Sequence, residues 1–194
     1  MIRPCPHTNR MIFEINGHSL EITSTPHLEQ HLADVVQFQP FVRWIHTLTS
    51  SSNETPQLVT LYTITITDID HFTSTRIGFV KMKVDCRYAD NTRLPGIVLL
   101  RGDSVAIMIR VKCLDHVHVI MVQQPRIPLG SLHVLELPAG MLDGSGDFVG
   151  VAQKELEEEC GIKVMQNDLV ELTGACGGLA MSGGLCDGIF HCNL

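Results

Sequence analysis

The apolar and polar positions of this chain change period several times, and each change predicts an element. Residues 11–22 (MIFEI-NG-HSLEI) alternate on either side of Asn16-Gly17. That dipeptide accepts the positive φ angles of a tight turn, so the stretch predicts a β-hairpin. Over 27–48 the spacing becomes helical, with Leu28, Leu32, Val35/Val36, Phe41/Val42 and Ile45 on one side. Pro40 should kink or divide that helix, because it has no N–H and crowds the preceding turn. Residues 49–56 (TSSSNETP) predict a polar loop.

Stretches rich in Val, Ile and Thr follow at 58–67, 77–86, 96–100, 104–111 and 117–123, with polar turns between them. They predict successive strands. His116, His118 and His133 fit strand-surface positions better than a general base. Residues 126–132, punctuated by Pro128 and Gly130, predict a loop, and 133–137 a short strand. Helical spacing returns once more before Gly161, with Phe148, Val151/Ala152, Leu156 and Cys160 as the apolar stripe. Asp147 suits the N-cap of this helix and Gly161 the residue just past its end. A strand is expected at 169–172, and a glycine-rich loop spans 174–184.

That last helix carries the candidate chemistry. Glu155, Glu157, Glu158 and Glu159 crowd its final turns, and Glu155, Glu158 and Glu159 share a face at i, i+3 and i+4. Like charges at these spacings repel, each pair costing a few tenths of a kcal/mol. They also sit at the negative end of the helix dipole. Both costs point to something that neutralises the cluster, and hard divalent cations take oxygen ligands of this kind.

Bulk properties narrow the alternatives. The chain has 194 residues, 44% hydrophobic and 18% charged, with a formal net charge of −7. This is ordinary for a soluble domain or two. A negative net charge argues against sequence-independent nucleic-acid binding. No apolar run is long enough for a membrane span, and the first ten residues carry no secretory core. Seven scattered cysteines without a CxxC pair suit reduced thiols in the cytoplasm, with neither a disulfide framework nor a structural zinc.

Residues 140–162, GMLDGSGDFVGVAQKELEEECGI, resemble the Nudix box, G-x5-E-x7-R-E-U-x-E-E-x-G-U with U a bulky apolar residue. Gly140, Glu155, Leu156, Glu158, Glu159, Gly161 and Ile162 match at the right spacing. The flanks LELPAGMLD, QQPR at 123–126, RIGFVKMKVD and LPGIVLLRG are similar to the nucleoside-diphosphate-sugar branch, the pyrophosphatases of ADP-ribose, ADP-glucose and UDP-glucose. The resemblance implies an α/β fold: a Nudix α/β/α sandwich with a mixed sheet over 95–194. A smaller β-rich domain with one helix, over 1–94, would precede it and help form a homodimer.

The resemblance further implies Mg²⁺ or Mn²⁺ held by Glu155, Glu158 and Glu159 and by the backbone carbonyl of Ala139. Gly140 would keep that backbone approach open, and Arg126 would face the substrate diphosphate. The expected reaction is hydrolysis of a nucleoside diphosphate sugar to a nucleoside monophosphate and a sugar phosphate. For Arg126 the competing reading is a structural salt bridge, and for the glutamates a solvated helix face.

Several positions depart from the pattern. Gly146 stands where the box has its first Glu, and Lys154 replaces the Arg that orients a box glutamate. After Ser182-Gly183-Gly184, Gly188 occupies the place of a further acidic residue, with Asp187 the nearest substitute. The family's C-terminal strand and helix are also missing, as in a truncated chain. These departures motivate the alternative of a catalytically impaired nucleotide-sugar binding or regulatory protein.

Overall fold

The computed structural model describes residues 2–4, 10–15, 18–54, 59–142, 148–173, 178–182 and 184–194. The Asn16-Gly17 turn, Gly146, Asp147 and, within the glycine-rich stretch, residues 174–177 and 183 lie outside the described residues. By their contacts the residues fall into two units, 1–101 with 182–187, and 102–181 with 188–194.

The first unit is built on a six-stranded sheet in sequence order: β1 (Ile2–Pro4), β2 (Met11–Ile15), β3 (His18–Ser24), β4 (Val59–Thr73), β5 (Arg76–Tyr88) and β6 (Ile97–Leu100). β2 and β3 form the expected hairpin, closing on the pair Ile15 and His18. β3 and β4 are parallel, and a parallel pair needs a long crossover. A 3-10 turn (Pro26–His31), the short α1 (Leu32–Val35) and α2 (Gln39–Glu54) supply it.

Pro40 does divide the helical stretch. The chain turns at 36–38 and α2 restarts with Pro40 in its first turn, where a missing N–H costs nothing. α2 then runs on to Glu54, through much of the expected polar loop. Ser and Thr are only fractionally poorer helix formers than Ala, and Thr49 Oγ1 bonds back to the carbonyl of His46 at 2.8 Å. The core beneath follows the two periods: Leu20 and Ile22, Ile64 and Ile66, and Val80, Met82 and Val84 from alternating strand positions meet Leu32, Val35, Phe41 and Ile45 from the helices.

The segment 182–187 completes this unit beside β6. Leu99 N–H donates to the carbonyl of Leu185 (2.8 Å), and Arg101 N–H to Asp187 Oδ1 (2.7 Å). Leu99 and Cys186 form a parallel bridge.

The second unit has a mixed four-stranded sheet ordered β12-β7-β14-β13, made of β12 (Ala139–Met141), β7 (Ser104–Ile107), β14 (Ile189–Asn193) and β13 (Leu179–Ala180). β7 is antiparallel to β12 and parallel to β14. Two hairpins stand between: β8 (Arg110–Cys113) with β9 (His116–Val119), and β10 (Val122–Arg126) with β11 (Ser131–Glu136). Helix α3 (Phe148–Cys160) packs against β7 and β12. Val105 and Ile107 meet Ala152 and Leu156, the centre of the expected apolar stripe. The fold is of the α/β class.

Two expected strands are each divided. The stretch 104–111 becomes β7, buried throughout, and β8, exposed throughout. The stretch 117–123 becomes β9, paired with β8, and β10, paired with β11. Periodicity is continuous across both breaks, but the pairing partner changes, and the partner defines the strand. The expected strand at 169–172 is reduced to an edge contact, in which Val170 and Leu194 exchange backbone bonds of 2.9 and 2.7 Å. Among the described residues, no helix is long and apolar enough to cross a membrane.

Candidate active site

The site grows from the way α3 is oriented. Ala152 and Leu156 point into the core at 0% and 1% exposure. At 100° per residue that leaves Glu155 and Glu159 on the flank of the buried stripe, half-buried, while Glu157 and Glu158 face water. Gly161 closes the helix with φ of +67°, its N–H donating to the carbonyl of Glu157 at 3.1 Å. Glycine takes this left-handed cap without the steric cost of a Cβ.

Glu155 lies directly against β12. A Cβ added to Gly140 would fall on the Glu155 carboxylate, and glycine is the residue that leaves room for it. Burial raises the carboxyl of Glu155 above its ordinary pKa; the charges of Glu159 and then Glu158 add to the rise, and Lys154 opposes it. The carboxylate is therefore a costly place for negative charge unless a cation compensates.

Glu159, one turn on, is gripped from β10. Gln124 Nε2 donates a short hydrogen bond to its Oε1, while Oε2 is buried and has no hydrogen-bond partner. Arg126 stands on the same face of β10, where Val122, Gln124 and Arg126 alternate as the half-buried positions. Its guanidinium forks onto Glu136 of β11, Nε to Oε2 at 3.0 Å and Nη2 to Oε1. That fork raises the Arg126 pKa further, and the charge of Glu159 adds to it.

The structure thus brings Gly140, Glu155, Glu159 and Arg126 into one neighbourhood, with Ala139 preceding Gly140 in β12. Glu158 points elsewhere: it is 58% exposed and lies 3.8 Å from Lys154 across an exposed helical turn. Among the described residues, no group of three His, Cys, Asp or Glu side chains is gathered as a metal cage. Of the expected glutamate trio, Glu155 and Glu159 lie at the edge of the core and Glu158 lies on the exposed face, because i and i+3 on this helix straddle the boundary between core edge and water. Asp187 is buried in the first unit, Oδ1 taking the Arg101 N–H and Oδ2 lying 3.9 Å from Arg43.

Gln124 and Glu136 were not singled out from the sequence. Their signal was the alternation itself, since the polar residues of VQQPR and SLHVLE that share a face with Arg126 point inward.

The donor set suits a hard divalent cation. Every candidate ligand is an oxygen, and Glu159 Oε2 is a buried carboxylate oxygen left unpaired. Such an oxygen is costly without a compensating charge or donor.

No protein-family model matches the chain. It is 41% identical over 143 residues to the chloroplastic Nudix hydrolase 14 of Arabidopsis thaliana, covering 72% of this chain and 46% of that protein. A stretch of 60 residues is 42% identical to a nudix hydrolase of Caenorhabditis elegans, covering 31% of this chain and 26% of that one. This chain therefore spans less than half the length of either relative. Among solved structures, that of an ADP compounds hydrolase aligns with a TM-score of 0.47 and 22% identity, over 69% of this chain and 67% of its own. With the box residues in place on α3 and this degree of identity to a curated Nudix protein, the chain belongs to the Nudix hydrolase superfamily.

Proposed function

We propose that this protein hydrolyses the diphosphate bond of a nucleoside diphosphate sugar, of the ADP-ribose, ADP-glucose or UDP-glucose kind, with Mg²⁺ or Mn²⁺. The observation that carries the reading is the buried, unpartnered Oε2 of Glu159, one helical turn from Glu155. Glu155 and Glu159 are the side chains that would hold the cation, with the Ala139 carbonyl beside them. Glu158 would join them only on leaving Lys154. A divalent cation held there would supply positive charge to the phosphoryl oxygens and would acidify a water at neutral pH.

The protein's own residues do the rest. Gly140 lets the Glu155 carboxylate lie against β12. Arg126 spends Nε and Nη2 on Glu136, leaving Nη1 to meet a phosphate oxygen. Water oxygen joins one phosphorus, the bridging P–O bond breaks, and a nucleoside monophosphate and a sugar phosphate leave. The 41% identity to a Nudix hydrolase supports hydrolysis of this class. A homodimer formed through the N-terminal unit, in the cytoplasm, completes the proposal.

The test is a substrate panel of ADP-ribose, ADP-glucose, UDP-glucose and dinucleoside polyphosphates, with and without Mg²⁺. Metal-dependent release of a nucleoside monophosphate, lost in Glu159→Gln, is the expected result; a blank panel from folded protein overturns it. The pairing of Glu158 with Lys154, in place of the family's Arg, favours a second reading of a binding or regulatory protein. Nucleotide-sugar binding without metal-dependent product would select that one.

A further inference from the structure

We infer that Gln124 is a positioning residue for the candidate cation site: its side-chain amide pins one oxygen of Glu159 and so dictates that the other serves as ligand. This rests on the reading that Glu159 holds the cation. Gln124 Nε2 donates to Oε1, and the remaining Oε2 is buried without a hydrogen-bond partner. One bond thus settles which oxygen is available.

The chemistry of the tether matters as much as its position. An amide donates a hydrogen bond without bringing a positive charge that would compete with a dication at Glu159. A lysine or arginine in the same place would neutralise the carboxylate and compete with the metal. Arg126, on the same face, has its charge paired by the Glu136 fork. Strand geometry explains the aim. Gln124 pairs with Val134 and alternates inward, whereas Gln123 turns to the exposed face and bonds His133 at 2.8 Å. The two adjacent glutamines therefore provide an internal comparison.

The experiment is a titration with Mn²⁺ alone, counting the free ion by electron paramagnetic resonance. It uses the full chain, Gln124→Met, Gln123→Met and Glu159→Gln, each with its fold verified by circular dichroism. Gln124→Met should weaken Mn²⁺ binding about tenfold, the lower end of what losing a ligand's orienting partner costs. Gln123→Met should match the unsubstituted chain, and Glu159→Gln should lose more than either. In turnover, Gln124→Met should raise the metal concentration for half-maximal rate and leave the sugar-nucleotide KM at saturating metal unchanged. A merely structural role would not produce that split.

Unchanged Mn²⁺ affinity in Gln124→Met, with Glu159→Gln impaired, overturns the role of Gln124 and leaves the cation site standing. Unchanged affinity in Glu159→Gln overturns the site and this inference together. An equal loss in Gln123→Met assigns the effect to the hairpin and also overturns it. Should Gln124→Met not fold, Gln124→Asn carries the test: it keeps the amide on a shorter arm, and weaker binding is expected while equal binding refutes.

Discussion

The two units spend their buried positions differently. The first fills its interior with aliphatic and aromatic side chains from both sheet and helices, from Leu20 to Leu100. In the second, the fully buried apolar centre is Val105, Ile107, Ala152 and Leu156, and the half-buried ring includes Gln124, Arg126, Glu136, Glu155 and Glu159. Apolar burial stabilises at roughly 25 cal/mol per Å², whereas partly desolvated charges contribute little until they are paired. The first unit fills its buried positions with apolar packing, and the second keeps charged and polar side chains at its half-buried positions, where a bound cation would find partners.

The comparison can be broken most forcefully at the cores. Phe41→Ala should cost about 3–5 kcal/mol and Leu156→Ala about 2–5 kcal/mol in denaturant unfolding. Leu156 lies between Glu155 and Glu159 in sequence, so its loss should also weaken Mn²⁺ binding, while folded Phe41→Ala protein should bind normally. Equal effects on the metal would erase the distinction between the units. Binding itself comes next. Mg²⁺ at a hundred times its Kd should add about 2.7 kcal/mol to stability, read as a rise in Tm that Glu159→Gln abolishes.

Gly140→Ala should cost about 1–3 kcal/mol, the usual range for overpacking, and should lower metal-dependent turnover by displacing Glu155. Denaturant unfolding and rate measurements on the same preparation check both parts.

The smallest expected effect concerns pH. The folded-state pKa of Glu155 is raised, with burial the main cause. As pH rises past the ordinary glutamate range, the unfolded chain gives up this proton first, so the group's contribution to stability falls until the folded form has ionised too. Without metal, Glu155→Gln should therefore raise Tm at neutral pH, on the order of 1–2 °C. Below the ordinary glutamate range it should change nothing. Thermal melts at both pH values decide the sign.

Much of this was readable from local pattern. The β2–β3 hairpin, the division at Pro40, the inward stripe of α3 and its Gly161 cap each follow from a period or a single residue with one preferred conformation. The box spacing placed Glu155 and Glu159 on one flank. What local pattern missed was pairing. Nothing in residues 104–111 shows that β7 lies between β12 and β14 while β8 folds onto β9. For the same reason Gln124 and Glu136 were passed over, since their roles come from residues 35 positions apart in one case and across a hairpin in the other. The direction of Glu158 was also beyond spacing alone, because i, i+3 and i+4 share a face yet divide at its rim.

The strip 182–187 has a consequence for biosynthesis. It bonds beside β6 through Leu185 and Asp187, although most of the first unit ends at Arg101. A ribosome must therefore translate another eighty-odd residues before that edge is capped. Until then Leu99 and Arg101 present open amides to the cell, and a nascent chain stalled in that interval would offer a chaperone an unfinished border to hold.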